Sequence, residues 1–238
     1  MVLAAGRGER MRPLTDVTPK PLLEVRGKPL MQWHLEALAA GGFTNVVVNT
    51  AWLGAQISDR FGAKHAFAAH ADTTIAYSHE GLDFGGALET AGGIVRALPM
   101  LGDIFWGVAG DVFAPAFAFS AAAVARFAAS DALAHLWLVP NPAHNLRGDF
   151  GLGNDGQAVA EADARYTFSA IALYRAALFT LPYCDIASGN PLGEKAALAP
   201  ILRAAMQKGL VSATLYTGPW TDVGTPERLA QINKGEAS

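Results

Sequence analysis

Short apolar runs of strand length alternate along this chain with stretches of helical periodicity. Residues 1–5, Met1-Val2-Leu3-Ala4-Ala5, are apolar at every position, the pattern of a parallel strand buried on both faces. From Leu30 the apolar residues recur as Leu30, Trp33, Ala37 and as Met31, Leu35, Leu38, which predicts a helix. Pro29 suits its first turn and Gly41-Gly42 ends it. Residues 45–49 read as a second buried strand, 54–61 as a helix, 73–77 as a strand, and 79–86 as a glycine-rich loop. A helix over 89–98 faces that loop, and a strand over 104–108 ends at Gly110-Asp111. Strands alternating with helices predict βαβ units, a mainly parallel sheet and right-handed crossovers.

The second half has a different texture. An Ala-rich helix is predicted over 119–129, starting near Ser120, and a strand over 133–139. Residues 150–153, 158–160 and 168–174 read as antiparallel strands, the first two joined by a turn at Asn154-Asp155-Gly156. A helix is expected over 195–207 and ends at Gly209. A strand follows over 213–216, then a last helix with Thr225 as cap and Pro226 in its first turn. The expected fold is a Rossmann-like, doubly wound, mainly parallel α/β sheet with a small antiparallel extension. One domain over 1–238 is expected.

Composition narrows the class. Hydrophobic residues make up 51% and charged residues 16%, enough to bury a sizeable core and too apolar for a disordered chain. The single cysteine, Cys184, excludes an internal disulfide and a multi-Cys zinc site. With no membrane-length apolar run and no export signal in view, a cytoplasmic location is expected. The first strand begins abruptly, so a start upstream of Met1 is also open.

Residues 1–28 concentrate the candidate chemistry. Gly6 and Gly8 expose backbone N–H groups that suit an anion-binding nest, with phosphate as the natural guest. An ordinary glycine-rich turn is the alternative, because a Gly-x-Gly pair is weak by itself. Pro19 and Pro21 fix the backbone on both sides of Lys20 and aim its ammonium. Six of the eighteen Lys and Arg fall here against three acids, a local balance of +3 in a chain whose total is −3. Such a basic mouth suits a small polyanion; a nucleic-acid groove takes a broader positive face.

The run Leu3-Ala4-Ala5-Gly6-x-Gly8-x-Arg10-x-x-Pro13-Leu14-Thr15, followed by Pro19-Lys20-Pro21-Leu22, resembles the signature of the sugar-1-phosphate nucleotidyltransferases. Later stretches support the resemblance: Leu88 to Gly93, Gly110-Asp111-Val112, Arg147 to Phe150, Thr167-Phe168-Ser169 and Trp220 to Thr225. It covers nearly the whole chain and is greatest to the short uridylyl-transferring members that act on N-acetylmuramate 1-phosphate in bacterial cell-wall recycling.

The resemblance implies that a sugar-1-phosphate oxygen attacks the α-phosphorus of UTP, or of another nucleoside triphosphate, and releases pyrophosphate. It implies Mg²⁺ held by Asp111 and Asp222, with Arg10 and Lys20 as the catalytic cations. Nucleotide contacts are expected from Leu3, Ala4, Ala5, Gly6, Gly8, Glu9, Glu80, Glu89, Thr90 and Gly92. The sugar side is expected from the stretch Gly148-Asp149-Phe150-Gly151, Glu161 and Ser169, with Arg147 facing the lactyl carboxylate of muramate. Plainer readings stand beside these: a turn aspartate for Asp111, a surface acid for Asp222, a first-turn acid for Glu89, an exposed loop arginine for Arg147. Arg7 and Arg12 read equally as substrate contacts or solvated rim charges. The chain departs from the pattern at Glu89, where many relatives outside the uridylyl group have glycine, and at Ala109, where a polar residue is common.

Two competing functions are the same chemistry on another pair, such as GTP with mannose or heptose phosphate, and a non-catalytic nucleotide-sugar-binding protein. The presence of Arg10, Lys20, Asp111 and Asp222 weighs against the second. A P-loop is absent, and Met11 stands where a dinucleotide fingerprint needs its third glycine. The six histidines show no metal-ligand spacing, and only His79 lies beside the expected base loop. Neither nucleic acid nor membrane is an expected partner, and a monomer or weak homodimer is expected.

Overall fold

The computed structural model describes residues 1–67 and 72–235, so His70 lies outside the described residues. Eight strands form the main sheet: β1 Val2–Ala4, β2 Asn45–Thr50, β3 Lys64–His65, β4 Thr73–His79, β5 Ile104–Ala109, β6 Ala134–Val139, β7 Thr167–Arg175 and β8 Val211–Leu215. Their order is β8-β6-β7-β5-β1-β2-β4-β3. Only β7 and β3 run against the rest, each pairing antiparallel with its neighbours. The chain builds β1, β2 and β4 outward on one side, then returns to lay β5 on the other side of β1. That reversal leaves a crevice beyond the carboxyl ends of β1 and β5, where open α/β sheets bind ligands.

The described residues contain seven α-helices: α1 Leu30–Ala40, α2 Gly54–Phe61, α3 Glu80–Phe84, α4 Glu89–Ala97, α5 Ala121–Ala128, α6 Leu198–Met206 and α7 Pro226–Asn233. One core packs α4 and α6 against the sheet through Ile94, Val95, Leu198, Leu202, Leu136 and Phe179. A second packs α1, α2 and α5 through Met31, Leu35, Ile57, Phe127, Val48 and Trp106. A smaller third joins Met11, Val25 and Leu30 to α7. Among the described residues, no helix is long and apolar enough to cross a membrane.

The mixed, mostly parallel sheet with helices is the expected class, and most elements fall where periodicity puts them. Ser120 caps α5, its Oγ accepting from the Ala123 N–H at 3.2 Å, and Thr225 caps α7. Two expectations need correction. The stretch 79–86 is not an open loop: it contains α3, which Gly85 ends at φ +75°. The helix expected from 195 starts at Leu198, because the backbone before it is spent elsewhere. The Ala196 carbonyl accepts from the Ala91 and Gly92 N–H groups, and its N–H donates to the Leu88 carbonyl. The sequence also gave no sign of the ribbon that pairs Thr221–Asp222 with Val112–Phe113.

Inside the second core, α1 carries a buried histidine beneath the crevice. His34 is 2% exposed and donates from Nε2 to the Val112 carbonyl at 2.7 Å, so the neutral ring is the form that fits. Burial pushes its pKa from the usual 6.5 down to about 4. A depressed pKa contributes stability that is full above the unfolded value and is lost as pH falls toward the folded one. Unfolding free energy should therefore decline between pH 6.5 and about 4, with His34 alone contributing roughly 3 kcal/mol at the acid end. His135 shifts the same way through burial and adds to the same limb. Urea unfolding at pH 7 and pH 4.5 checks this: the loss should be smaller in His34→Gln, whose amide donates to the same carbonyl without titrating.

Candidate active site

A cleft of about 920 Å³ fills the crevice. Its lining comes from the loop after β1 (Gly6, Gly8, Glu9, Arg10), from Lys20 and Asp111, from the start of α4 (Ala87, Glu89, Thr90), and from α6. Leu3, Ala4, Ala5 and Asp149 also reach it.

Lys20 sits on a single 3₁₀ turn, Lys20–Leu22, entered from Pro19. The residue is 8% exposed, and its Nζ lies 2.6 Å from Asp111 Oδ2. Gly8 makes room for its stem. At φ +67° a side chain is disfavoured there, and an added Cβ would come within 3.2 Å of Lys20 Cβ and 3.1 Å of Thr15 Cγ2. The neighbouring arginines serve the loop itself. Arg7 lies 3.9 Å over the Trp52 ring and pairs with Asp16, which Arg12 also holds at 2.8 Å. The Arg7 guanidinium, then Arg12, keeps the Asp16 carboxyl below the usual carboxylate range. Arg10 is exposed and lines the cleft.

The two aspartates meet through backbone pairing. Asp222 is the ladder partner of Val112, and the Val223 N–H donates to the Asp111 carbonyl at 3.0 Å. Asp222 does not itself line the cleft, but Gly224 beside it does. Asp222 Oδ1 is taken by Arg228 Nη1 at 2.5 Å and His144 Nε2 at 2.9 Å. A Cβ on Gly224 would stand 3.1 Å from Asp222 Oδ2, so the glycine keeps the space at that second oxygen open. Among the described residues, no cluster of three or more His, Cys, Asp and Glu could hold a metal ion. Two carboxylates with an open oxygen each do suit Mg²⁺, which takes one or two protein carboxylates and completes its shell with water and phosphate.

Glu80, expected against a base, is absent from the cleft lining. Its side chain is fully buried: Oε1 accepts from Asn49 Nδ2 at 2.6 Å and Oε2 from the Leu88 N–H at 2.8 Å. Asn49 in turn accepts from the Ala4 N–H at 2.8 Å and does line the cleft. Burial raises the Glu80 pKa, and the hydrogen bonds from Leu88 and Asn49 pull it back. Gly93 permits this arrangement, since a Cβ would lie 2.5 Å from Glu80 Oε1. The Gly92 amide is also unavailable to a ligand, being spent on the Ala196 carbonyl at 3.1 Å. His79 is held by Thr50 and is not in the lining. Glu89, by contrast, lines the cleft at φ +60°, a conformation more usual for glycine than for a residue with a side chain.

On the expected sugar side Asp149 and Phe150 line the cleft and Gly148 does not; Asp149 Oδ2 accepts from the Phe168 N–H at 2.8 Å. Arg147 is exposed on its loop. Gly151 is required by packing, because a Cβ would lie 2.4 Å from Ala162 Cβ. The Glu161 side chain is 89% exposed beside Arg165, and Ser169 is buried with its Oγ accepting from the Ile171 N–H. The rest of the lining there comes from Phe168, Ala170, Tyr174, Leu202 and Arg203, which were not expected. A bulge in β7 between Phe168 and Ala172, with Ala170 at φ +60°, brings both Phe168 and Ala170 to the cleft. The sequence carries one usable sign of the missed residues, the polar Asn49 at the end of an apolar strand.

Comparison with known proteins places the chain in a family and agrees with its fold. The family model described as nucleotidyl transferase matches residues 1–158. The chain is 47% identical over 234 residues to an N-acetylmuramate alpha-1-phosphate uridylyltransferase of Neisseria meningitidis serogroup B, covering 97% of this chain and 95% of that one. In fold it is similar to a putative glucose-1-phosphate thymidylyltransferase from Bacillus anthracis, with TM-score 0.74 at 20% identity over 99% of this chain and 93% of that one. It is also similar to the CTP:phosphocholine cytidylyltransferase of Streptococcus pneumoniae, with TM-score 0.68 at 16% identity over 98% and 96%.

The buried carboxylate of Glu80 gives a direct test. Glu80→Ala leaves two enclosed N–H donors unpaired and should lower the unfolding free energy by about 2 kcal/mol or more. Glu80→Gln should not rescue it, because one acceptor becomes a donor facing a donor. Urea unfolding curves of the three proteins check both statements.

Proposed function

The chain belongs to the nucleotidyl transferase family, and we propose that it transfers UMP from UTP to N-acetylmuramate 1-phosphate, releasing pyrophosphate. The observation that carries this reading is Lys20, buried and paired with Asp111 at the edge where β1 and β5 end, in a chain 47% identical over nearly its full length to a protein of that activity. The sugar-phosphate oxygen forms a bond to the α-phosphorus as the bond from that phosphorus to the bridging oxygen breaks, and pyrophosphate departs with that oxygen. Such a transfer needs little covalent help; alignment and neutralisation of charge are the main requirements.

The chain's own groups fit those tasks. The loop amides from Gly8 to Arg10 hold the triphosphate, and the Arg10 guanidinium binds the leaving pyrophosphate. Lys20 stabilises charge developing near the α-phosphate, held in place by Asp111 and by its bracketing prolines. The uracil rests against residues 87–90 and Asn49, and Glu80 acts from behind by fixing Asn49 and the Leu88 amide. Phe150, Phe168 and Asp149 receive the sugar. Asp111 and Asp222 are the residues that would hold Mg²⁺, which when bound supplies further neutralisation of phosphate charge. A cytoplasmic place in cell-wall recycling belongs to the same reading.

Pyrophosphate release over a matrix of four nucleoside triphosphates and several sugar 1-phosphates tests the function. The highest rate is expected with UTP and N-acetylmuramate 1-phosphate; a maximum with GTP and mannose 1-phosphate would replace this reading. In Lys20→Ala, kcat should fall by roughly 100-fold or more while the protein remains folded, as for loss of one preorganised charge stabiliser. An unchanged kcat would remove Lys20 from the reaction.

A further inference from the structure

Three cations line the cleft, and two are already placed. Lys20 is paired with Asp111, and Arg10 stands in the loop after β1. The third is Arg203, on the other side of the sequence and on a different element. It lies on α6, whose residues Leu198, Ala199, Leu202 and Arg203 share one helical face and all line the cleft. The Ala196 carbonyl, just before α6, accepts from amides of α4, so the helix begins beside the nucleotide wall. From Leu198 to Arg203 it advances about 7.5 Å. There the Arg203 guanidinium stands 5.9 Å over the Phe150 ring, next to Asp149. Among the described residues Arg203 has no ion-pair partner, although Glu9, Glu89, Asp111 and Asp149 line the same cleft.

We propose that Arg203 determines sugar specificity by binding the lactyl carboxylate of the amino-sugar phosphate, an assignment that rests on the substrate reading above. A muramyl phosphate differs from the corresponding glucosamine phosphate by a lactyl ether that adds one carboxylate. That group needs a cation distinct from those on the triphosphate, and a planar guanidinium binds a carboxylate through two parallel hydrogen bonds. Arg147 does not serve, because its exposed loop position contributes nothing to the cleft lining. Arg203 is itself exposed at the cleft wall, with its guanidinium over the Phe150 ring, so its donors are open to an entering carboxylate.

The test compares kcat/KM for N-acetylmuramate 1-phosphate and N-acetylglucosamine 1-phosphate, each with UTP, in wild type, Arg203→Gln and Arg203→Lys. Arg203→Gln should lower the value for the muramyl substrate by roughly 10- to 100-fold, the range for losing a hydrogen bond to a charged group, and move the glucosamine value far less. Arg203→Lys should recover part of the loss, since it keeps the charge without the fork. Equal losses on both sugars would overturn the assignment and point to the shared phosphate. A wild-type preference for the muramyl sugar that is unmoved in Arg203→Gln would overturn it while leaving the substrate reading intact. A wild type that accepts only the glucosamine phosphate would overturn both.

Discussion

The site depends on one ion pair. A lysine at 8% exposure holds its ammonium largely out of water, a costly state unless a counter-charge stands beside it. Asp111, ninety-one positions further along the chain, provides that charge at 2.6 Å. The pair is formed by two loops that leave neighbouring parallel strands at the same edge, and each loop is built to approach the other. The Gly110 N–H donates to the Leu3 carbonyl, and a side chain at Gly110 would press on that oxygen at 3.1 Å. Gly8 likewise leaves space for the stem of Lys20. On the proposed reading, a phosphate entering the cleft would meet a cation already fixed in direction, with little ordering left to be done on binding.

A second buried charge organises the other side of the cleft. Through Asn49 and the Leu88 amide, the Glu80 carboxylate ties together β1, β2, α3 and the start of α4. It touches no cleft surface, yet it sets where Asn49 and Glu89 stand. Removing such a group disturbs binding without any contact to a ligand, which is why kinetic loss at this position alone does not identify a base reader.

Much of the fold was legible because its signals are local. Apolar runs at 1–5 and 45–49, the periodicity of α1, and the caps at Ser120 and Thr225 each act within a few residues. That the loop after β1, Lys20 and Asp111 share one cleft was legible from their motifs. What the sequence concealed depends on long-range pairing. The ribbon joining Asp222 to Val112 has two residues on each side, too few for a period-two pattern, and the bulge in β7 appears only once its partners are known. Glu80, Gly92 and Gly151 were read as ligand contacts because they stand within or beside family motifs. A motif records that a residue type is required there, and packing can require it as strictly as a ligand does.

The family model ends at residue 158, and the cleft divides near the same point. Before it lie the loop after β1, Lys20, Asp111 and the start of α4, to which the proposed reading gives the phosphates and the base, and Asp149 with Phe150, where its sugar side begins. After it lie Phe168, Ala170, Tyr174, Leu202 and Arg203, together with Gly224 beside Asp222. The chemistry of nucleotidyl transfer is the same for every sugar, so the groups that perform it tolerate little variation in position. The sugar need only be held so that its phosphate meets the α-phosphorus, and a helix face can change its side chains without moving the strands that carry Lys20 and Asp111. Selectivity placed on α6 is thereby separable from catalysis. Because a helix fixes its residues more tightly than the loop bearing Arg147, a cation at Arg203 can discriminate by geometry as well as by charge.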